Sequence, residues 1–325
     1  MRFPEAIKDI VRSVCSWHKQ GAQPNIALFA TPRGGSTWVM EILAAQPGMK
    51  FVDEPLNIRR ENVQRTGVFA GWDELMPEGH CEDRIIDFLA ALAMGRYGNM
   101  NTAPFQKNYR ILTNRVVYKI HAAKHLANQV RDRCGCQIVY LLRHPIPNTL
   151  SRTVFPRLEH FLESPFYMDG YLTPDVAKEV RKIANKGNHL QRGIVSWCFE
   201  NIDAHRNEDK EDWTILTYEE LIQNPSGVCS VLADNLGLAD LERTLGGVSE
   251  AATNVAMSDR KTQEVLQRGQ GDGRTRYLIS RWRDKVSDAE ERELFSIIDL
   301  FEVDFYRVGR DIASEKYLLC EPSSV

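Results

Sequence analysis

The sequence predicts an α/β fold with a central parallel sheet of about five strands and helices on both faces. Three observations carry that expectation. Five short runs rich in β-branched or bulky apolar residues, at 25–30, 49–52, 115–120, 137–142 and 213–217, read as buried strands. Segments with helical periodicity separate them, which makes crossover connections and parallel pairing the economical solution. The chain of 325 residues is 43% hydrophobic and 26% charged, long enough for a sizeable core and unlike a disordered or low-complexity chain.

The elements follow in order. The N-terminal stretch MRFPEAIKDIVRSVCSWHK mixes acids and bases with apolar residues, so it reads as an amphipathic helix and not as a signal peptide. After the first strand and its turn, an apolar-rich helix is expected over 36–45, then others over 82–94 and 122–133. Thr173, Pro174 and Asp175, a cap followed by proline at the first helical position, open a stretch to Arg206 that holds two helices broken near Gly187. Ser287, Asp288, Ala289 and Glu290 form a capping box for an apolar periodic segment through Phe301. With no internal repeat and no linker rich in Pro, Gly or Ser, a single domain over 1–325 is expected.

Charge and cysteine usage exclude several classes. The formal charge of −3, from 41 basic and 44 acidic residues, argues against a surface that grips nucleic acid or anionic lipid as a whole. No apolar run approaches the roughly 20 residues that span a bilayer. Neither nucleic acid nor membrane is therefore expected as a partner, and a cytoplasmic location is expected. Cys is present seven times, an odd number, and only Cys134 and Cys136 are close, with no His or Cys pair spaced for zinc. Reduced thiols and no metal follow.

Two segments carry anion-binding chemistry. Directly after the first strand stands Thr31-Pro32-Arg33-Gly34-Gly35-Ser36-Thr37-Trp38, followed by a helix. Strand, glycine turn and helix N-terminus make an anion cradle, because backbone N–H groups point outward and the helix dipole adds positive potential. Gly34 and Gly35 allow close backbone approach, Arg33 adds a charge, and Ser36 and Thr37 offer hydroxyls. The G-x-x-x-x-G-K-[ST] spacing is absent and no Lys precedes Ser36, so ATP with magnesium is not implied. At the end of the fourth strand, Arg143 is followed eight positions later by Ser151, at the expected start of the next helical stretch. Such a cation can hold a second phosphate at the same sheet edge, or it is a surface cation beside a capping serine.

These residues together resemble the sulfotransferase superfamily, whose donor is 3′-phosphoadenosine 5′-phosphosulfate (PAPS). Thr31 to Trp38 matches the family's 5′-phosphosulfate loop, [TS]-P-[KR]-[SAG]-G-[ST]-[ST]-x, at every position, and Arg143 with Ser151 matches its 3′-phosphate signature. Val117-Tyr118-Lys119-Ile120-His121 is similar to the K-x-H of the cytosolic branch, whose His is the catalytic base. Phe51-Val52-Asp53-Glu54-Pro55-Leu56-Asn57 is similar to the F-E-P-L element of carbohydrate sulfotransferases, where a carboxylate is the base. Tyr218 falls where the family contacts adenine, and Trp38 either does the same or faces the core. The cluster from Arg268 to Arg276 lies near the family's C-terminal cofactor loop but departs from its pattern; Arg274 or Arg276 closes on phosphate there, or the loop is simply solvated.

The resemblance implies a three-layer P-loop-like fold, a nucleotide-binding core near 25–235, a covering loop and helix near 260–310, and PAPS as co-substrate with no metal. It implies in-line transfer of a sulfuryl group to a hydroxyl or amine of a small-molecule or carbohydrate acceptor, with PAP released. Arg33 and Lys119 belong to the charge-stabilising set, and either His121 or Glu54 is the base. Monomer and homodimer both fit the sequence. Two other classes compete: a non-catalytic PAP-binding protein, and a kinase using ATP.

Overall fold

Every expected strand forms. In the computed structural model, which describes residues 5–100, 108–249 and 272–320, strands β1 (Asn25–Ala30), β2 (Met49–Asp53), β3 (Arg115–Ile120), β4 (Cys136–Leu142) and β5 (Thr214–Thr217) pair in parallel in the order β2-β3-β1-β4-β5. Both β1 and β3 are buried along their whole length, as central parallel strands covered on two faces must be. Side-chain alternation divides the core: Ile26, Leu28 and Ala30 enter one apolar cluster, while Ala27 and Phe29 enter the other.

Helices α1 (Glu5–Val14), α2 (Ser36–Ala44), α3 (Glu82–Ala93), α4 (Ala127–Cys134) and α5 (Pro145–Leu150) fall in the first half of the chain. They are followed by α6 (Pro174–Lys186), α7 (His189–Arg206), α8 (Tyr218–Gln223), α9 (Pro225–Leu236), α10 (Asp272–Ser280) and α11 (Asp288–Asp299). Helices α2 and α9 cover the Ile26 face, and α3, α4, α7 and α11 cover the other, giving three layers. The break between α6 and α7 is enforced by a capping box of Asn188 and Gln191, and α11 starts with the expected box of Ser287 and Glu290.

Several expectations need correction. The helix expected over 122–133 becomes α-helical only at Ala127, because Ala123 takes a left-handed φ of 52° and a 3₁₀ turn over Lys124–Leu126 intervenes. Ser151 does not start a helix: it follows the last residue of α5, and Pro145, directly after Arg143-His144, opens that helix six residues earlier. The cluster from 268 to 276 is not a loop throughout. Its part up to 271 lies outside the described residues, and from Asp272 the backbone is helix α10, anchored by buried Leu278 and Ile279. The side chains of Arg274 and Arg276 lie outside the described residues. A two-stranded parallel ribbon, Trp17–His18 with Leu112–Thr113, is too short to show any periodicity in sequence. All seven cysteines are free, with Cys136 buried in β4.

What matters for function is the carboxyl edge of the sheet. Phe29 pairs with Ile120, Asp53 with Lys119, Ala30 with Leu141, and Leu142 with Thr217, so the strands end level. The segments beginning at Thr31, Glu54, His121, Arg143 and Tyr218 therefore leave from one edge. Because α2 follows β1 on one face and α4 follows β3 on the other, the crevice between these neighbouring strands is a topological switch point, where open α/β sheets bind ligands.

Candidate active site

The turn after β1 is closed by the Gly34 N–H, which donates to the Thr31 carbonyl at 2.9 Å. Arg33 is exposed at its tip in a left-handed conformation, φ 67°, which costs a non-glycine residue about 1–2 kcal/mol. Gly35 has φ 93°, and a Cβ there would lie 2.5 Å from the Tyr218 ring, so both conformation and space demand glycine. Helix α2 starts at Ser36 directly after the turn, with no side-chain cap at Gly35, so the positive end of its dipole lies beside the turn.

Behind the turn, five expected residues converge: Ser36, Thr37, Glu54, Lys119 and His121. Ser36 Oγ lies 2.9 Å from His121 Nε2, and His121 Nδ1 lies 3.5 Å from Glu54 Oε1. Lys119, almost wholly buried, donates to Thr37 Oγ1 at 3.0 Å and forms ion pairs with Asp53 at 2.5 Å and Glu54 at 3.1 Å. Glu54 is itself left-handed, φ 53°, and its second oxygen accepts from Asn57 Nδ2 at 2.6 Å and Arg60 Nε at 3.0 Å. Arg60 also bridges to Asp53 at 2.8 Å. Backbone outliers of this kind concentrate where side-chain aim matters more than local stability.

The charge states follow from these contacts. Burial alone would raise the Glu54 carboxyl, but His121, Lys119 and Arg60, with the hydrogen bond from Asn57, outweigh it and hold the group well below the usual carboxylate range. His121 is lowered to about 3, first by burial and then by Lys119, Arg157 and Lys124, against the pull of Glu54. At neutral pH the pair is thus a neutral imidazole beside a carboxylate ionised by Lys119 and Arg60.

The second expected segment meets the first. Arg143 donates from Nη1 to the Arg33 carbonyl at 2.7 Å, and its guanidinium lies 4.3 Å from the centre of the Tyr218 ring. Its Nε is buried without a hydrogen-bond partner. Trp38 packs edge-on against Tyr218, ring centres 5.8 Å apart, so both readings of Trp38 keep a structural basis: it borders the apolar core and lies beside the loop. Ser151 turns back on its own helix, Oγ donating to the Asn148 carbonyl at 2.7 Å, while Asn148 Nδ2 donates to the Pro32 carbonyl at 3.1 Å. His144 caps α5, its ring nitrogen accepting from the Ile146 N–H, and stacks on Trp282 at 4.8 Å.

A second ion cluster was invisible in the sequence. Glu200 of α7 accepts both arms of Arg152 at 2.9 Å and Arg157 Nη2 at 2.9 Å, all three side chains being buried. Arg157 also donates to the carbonyl of His121, and Lys124 donates to the Glu200 carbonyl at 2.7 Å and Thr31 Oγ1 at 3.3 Å. The bonded partners in this cluster are 36 to 93 residues apart, so no local spacing could reveal them. Asn57 and Arg60, three and six residues after Glu54, were closer to legible. Among the described residues no cluster of His, Cys, Asp and Glu has the makings of a metal site.

An open, wholly parallel α/β sheet with a glycine turn and a helix N-terminus at its switch point is the architecture in which α/β proteins hold anionic ligands at the sheet's carboxyl edge. The chain belongs to the sulfotransferase family: the sulfotransferase domain matches residues 23–299. That makes it a transferase of the sulfotransferase type and sets aside the kinase alternative. Among solved structures, mouse sulfotransferase SULT7A1 complexed with PAP is similar at 14% identity over 89% of this chain and 88% of its own, with a TM-score of 0.43. The sulfotransferase domain of the Synechococcus PCC 7002 olefin synthase is similar at 14% identity over 90% of this chain and 100% of its own, TM-score 0.42. The sulfotransferase domain from the curacin biosynthetic pathway is similar at 18% identity over 70% and 78%, TM-score 0.36. These likenesses are distant and say nothing of the acceptor. No curated protein matches this chain.

Proposed function

We propose that this protein transfers the sulfuryl group of PAPS to a hydroxyl or amine of a small-molecule or carbohydrate acceptor and releases PAP. One observation carries the reading: a glycine-turn anion cradle and a buried neutral imidazole meet at one sheet edge, joined by the 2.9 Å contact of Ser36 with His121. The residues fit a ligand with two phosphate groups. At Gly35 the turn's backbone lies so close to the Tyr218 ring that no Cβ fits, and the Arg143 Nε is an orphaned buried donor beside the same ring. In this reading Arg33, Gly34, Gly35, Ser36 and Thr37 hold the 5′ end, Arg143 and Ser151 the 3′-phosphate, and Tyr218 and Trp38 flank the adenine. Helix α10, which carries Arg274 and Arg276, packs against α8 and so stands beside Tyr218.

PAPS, when bound, supplies the sulfuryl group through a loose in-line transfer. Arg33 and the α2 N-terminus offset charge that grows on the departing phosphate oxygen, an interaction stronger in the transition state than before it. His121 Nε2 takes the acceptor's proton, its lone pair freed when the Ser36 hydroxyl turns to the ligand. Glu54 does not compete for that proton, because its oxygens are committed to Arg60, Asn57 and Lys119; it faces Nδ1 and stabilises the imidazolium that forms. Lys119 fixes Thr37 and Glu54 in place.

The test is His121→Ala. Turnover of PAPS with a productive acceptor should fall about 10²–10⁴-fold while PAP affinity stays at the wild-type value. Unchanged turnover in His121→Ala together with its loss in Glu54→Gln would transfer the base to Glu54, and PAP binding without turnover by wild type across a broad acceptor panel would favour the non-catalytic class.

A further inference from the structure

The exposed apolar side chains of this protein are gathered in one region. Among the described residues, Ile7, Ile10 and Val14 on α1, Trp17 just beyond it, and Ile111 and Leu112 are exposed by 45–70%. Met94 adds a seventh, and only Val154, Phe166, Leu241 and Val308 lie elsewhere. Single exposed apolar residues are ordinary, but a contiguous set marks an interaction surface.

The set is contiguous. Ile7, Ile10 and Val14 follow an i, i+3, i+7 spacing and share one face of α1. Trp17 pairs with Leu112 in the short ribbon, the Trp17 N–H donates to the Ile111 carbonyl at 2.7 Å, and the Tyr109 hydroxyl donates to the Cys15 carbonyl at the end of α1. The backbone next to Met94 adjoins the same ribbon, since a Cβ on Gly95 would lie 3.7 Å from that of His18.

Charge identifies the occupant. Lys19 and Arg96 are exposed at its margin and Arg110 is half-buried there. No Asp or Glu occurs in 10–20, 94–100 or 108–114, although the whole chain has more acids than bases. Within α1, Glu5 and Asp9 are matched in number by Lys8 and Arg12. A self-complementary dimer across this face would set cation against cation. An apolar centre with an indole and a basic margin matches an anionic bilayer interface.

We propose that α1 and the Trp17–Leu112 ribbon form a docking face for anionic membrane surfaces. The protein lies on the lipid and does not span it: among the described residues no helix is long and apolar enough to cross a bilayer. The sequence expectation of no membrane partner considered net charge over the whole surface, and this local arrangement runs against it.

The test is cosedimentation of the full chain with sucrose-loaded vesicles of phosphatidylcholine alone or with about 30 mol % phosphatidylserine. Wild type should bind the anionic vesicles and be released by high salt. The double substitution Ile10→Glu, Trp17→Glu should abolish binding, and Lys19→Glu should weaken it about five-fold or more, with thermal unfolding and PAP affinity unchanged in both. Absence of binding, binding indifferent to lipid charge and salt, or full binding by the double variant would overturn the proposal. A dimer in sedimentation equilibrium that the double variant dissociates would overturn it too, assigning the face to self-association.

Discussion

Glu54 and Glu200 both reach the loop that carries His121, and both are ringed by basic side chains. Glu54 touches the imidazole side, 3.5 Å from Nδ1, and keeps 14% of its side chain exposed toward the crevice. Glu200 holds the backbone side through Arg157 and is sealed, with 1% exposure. Burial raises each carboxyl before the surrounding cations pull it down, Glu54 well below the usual range and Glu200 to about 2. The difference lies in what each leaves free. Around Glu54 a neutral histidine faces the anion cradle, whereas around Glu200 two guanidiniums and an ammonium are spent on one carboxylate and its helix. On the proposed function, similar ion chemistry serves proton transfer at the half-open Glu54 cluster and scaffolding at the sealed Glu200 cluster.

That contrast can be broken experimentally. The largest effect is expected from Glu200→Ala, which leaves Arg152 and Arg157 buried and unpaired and should cost about 3–5 kcal/mol of stability, read as a lowered urea midpoint. An unfolding free energy within about 1 kcal/mol of wild type would show the cluster to be hydrated and dispensable. Glu54→Gln should act on turnover with little effect on folding: kcat falls about ten-fold, PAP affinity holds, and the rising limb of the pH–rate profile moves to lower pH, because the imidazole loses the anion that raises it. Disappearance of that limb would instead make Glu54 the base.

Acid stability sharpens the same comparison. His121 and His144 are lowered to about 3, and His18 and His125 to about 4, each mainly by burial, from an ordinary value of 6.5. Between these values the unfolded chain binds protons that the folded chain refuses, so each contributes stability that is present above pH 6.5 and is lost as the pH falls, by about 1.4 kcal/mol per unit. Glu200 adds its loss only below its ordinary value of 4.5, toward 2. Asp203, raised to about 6 by burial, opposes them weakly between its ordinary 3.8 and 6. The urea midpoint should therefore drop from pH 7 to 5, before any carboxylate-driven loss; a flat midpoint over that range would show these histidines to be hydrated.

The two regions were unequally legible in the sequence. Strands such as Ile26–Ala30 and Val116–Ile120 announce themselves because burial on both faces requires nearly continuous apolar runs, broken in the second only by Lys119, which belongs to the site. The turn from Thr31 to Trp38 is legible because its chemistry is contiguous, and level strand ends then bring Glu54, His121 and Arg143 to it without further information. Ser151 ends a helix where the sequence suggests a start, because Pro145 opens a helix of only six residues, shorter than any periodicity can show. The Glu200 cluster joins α7 to the segment after α5 through side chains alone, and its arginines look like ordinary surface cations until the fold buries them. The ribbon of Trp17 and Leu112 joins positions 95 residues apart through two pairs, again beyond local pattern.

On the proposed function, two separate cationic loops grip the two phosphates of one nucleotide. The most direct measurement is calorimetric titration of PAP and of adenosine 5′-monophosphate, which lacks the 3′-phosphate, into wild type and Arg143→Ala. Arg143→Ala should weaken PAP about ten- to a hundred-fold, the loss of a charge-assisted contact of about 1.5–3 kcal/mol, and leave the monophosphate unaffected. Equal affinity of wild type and Arg143→Ala for PAP, or wild type that shows no preference for PAP over the monophosphate, would contradict it.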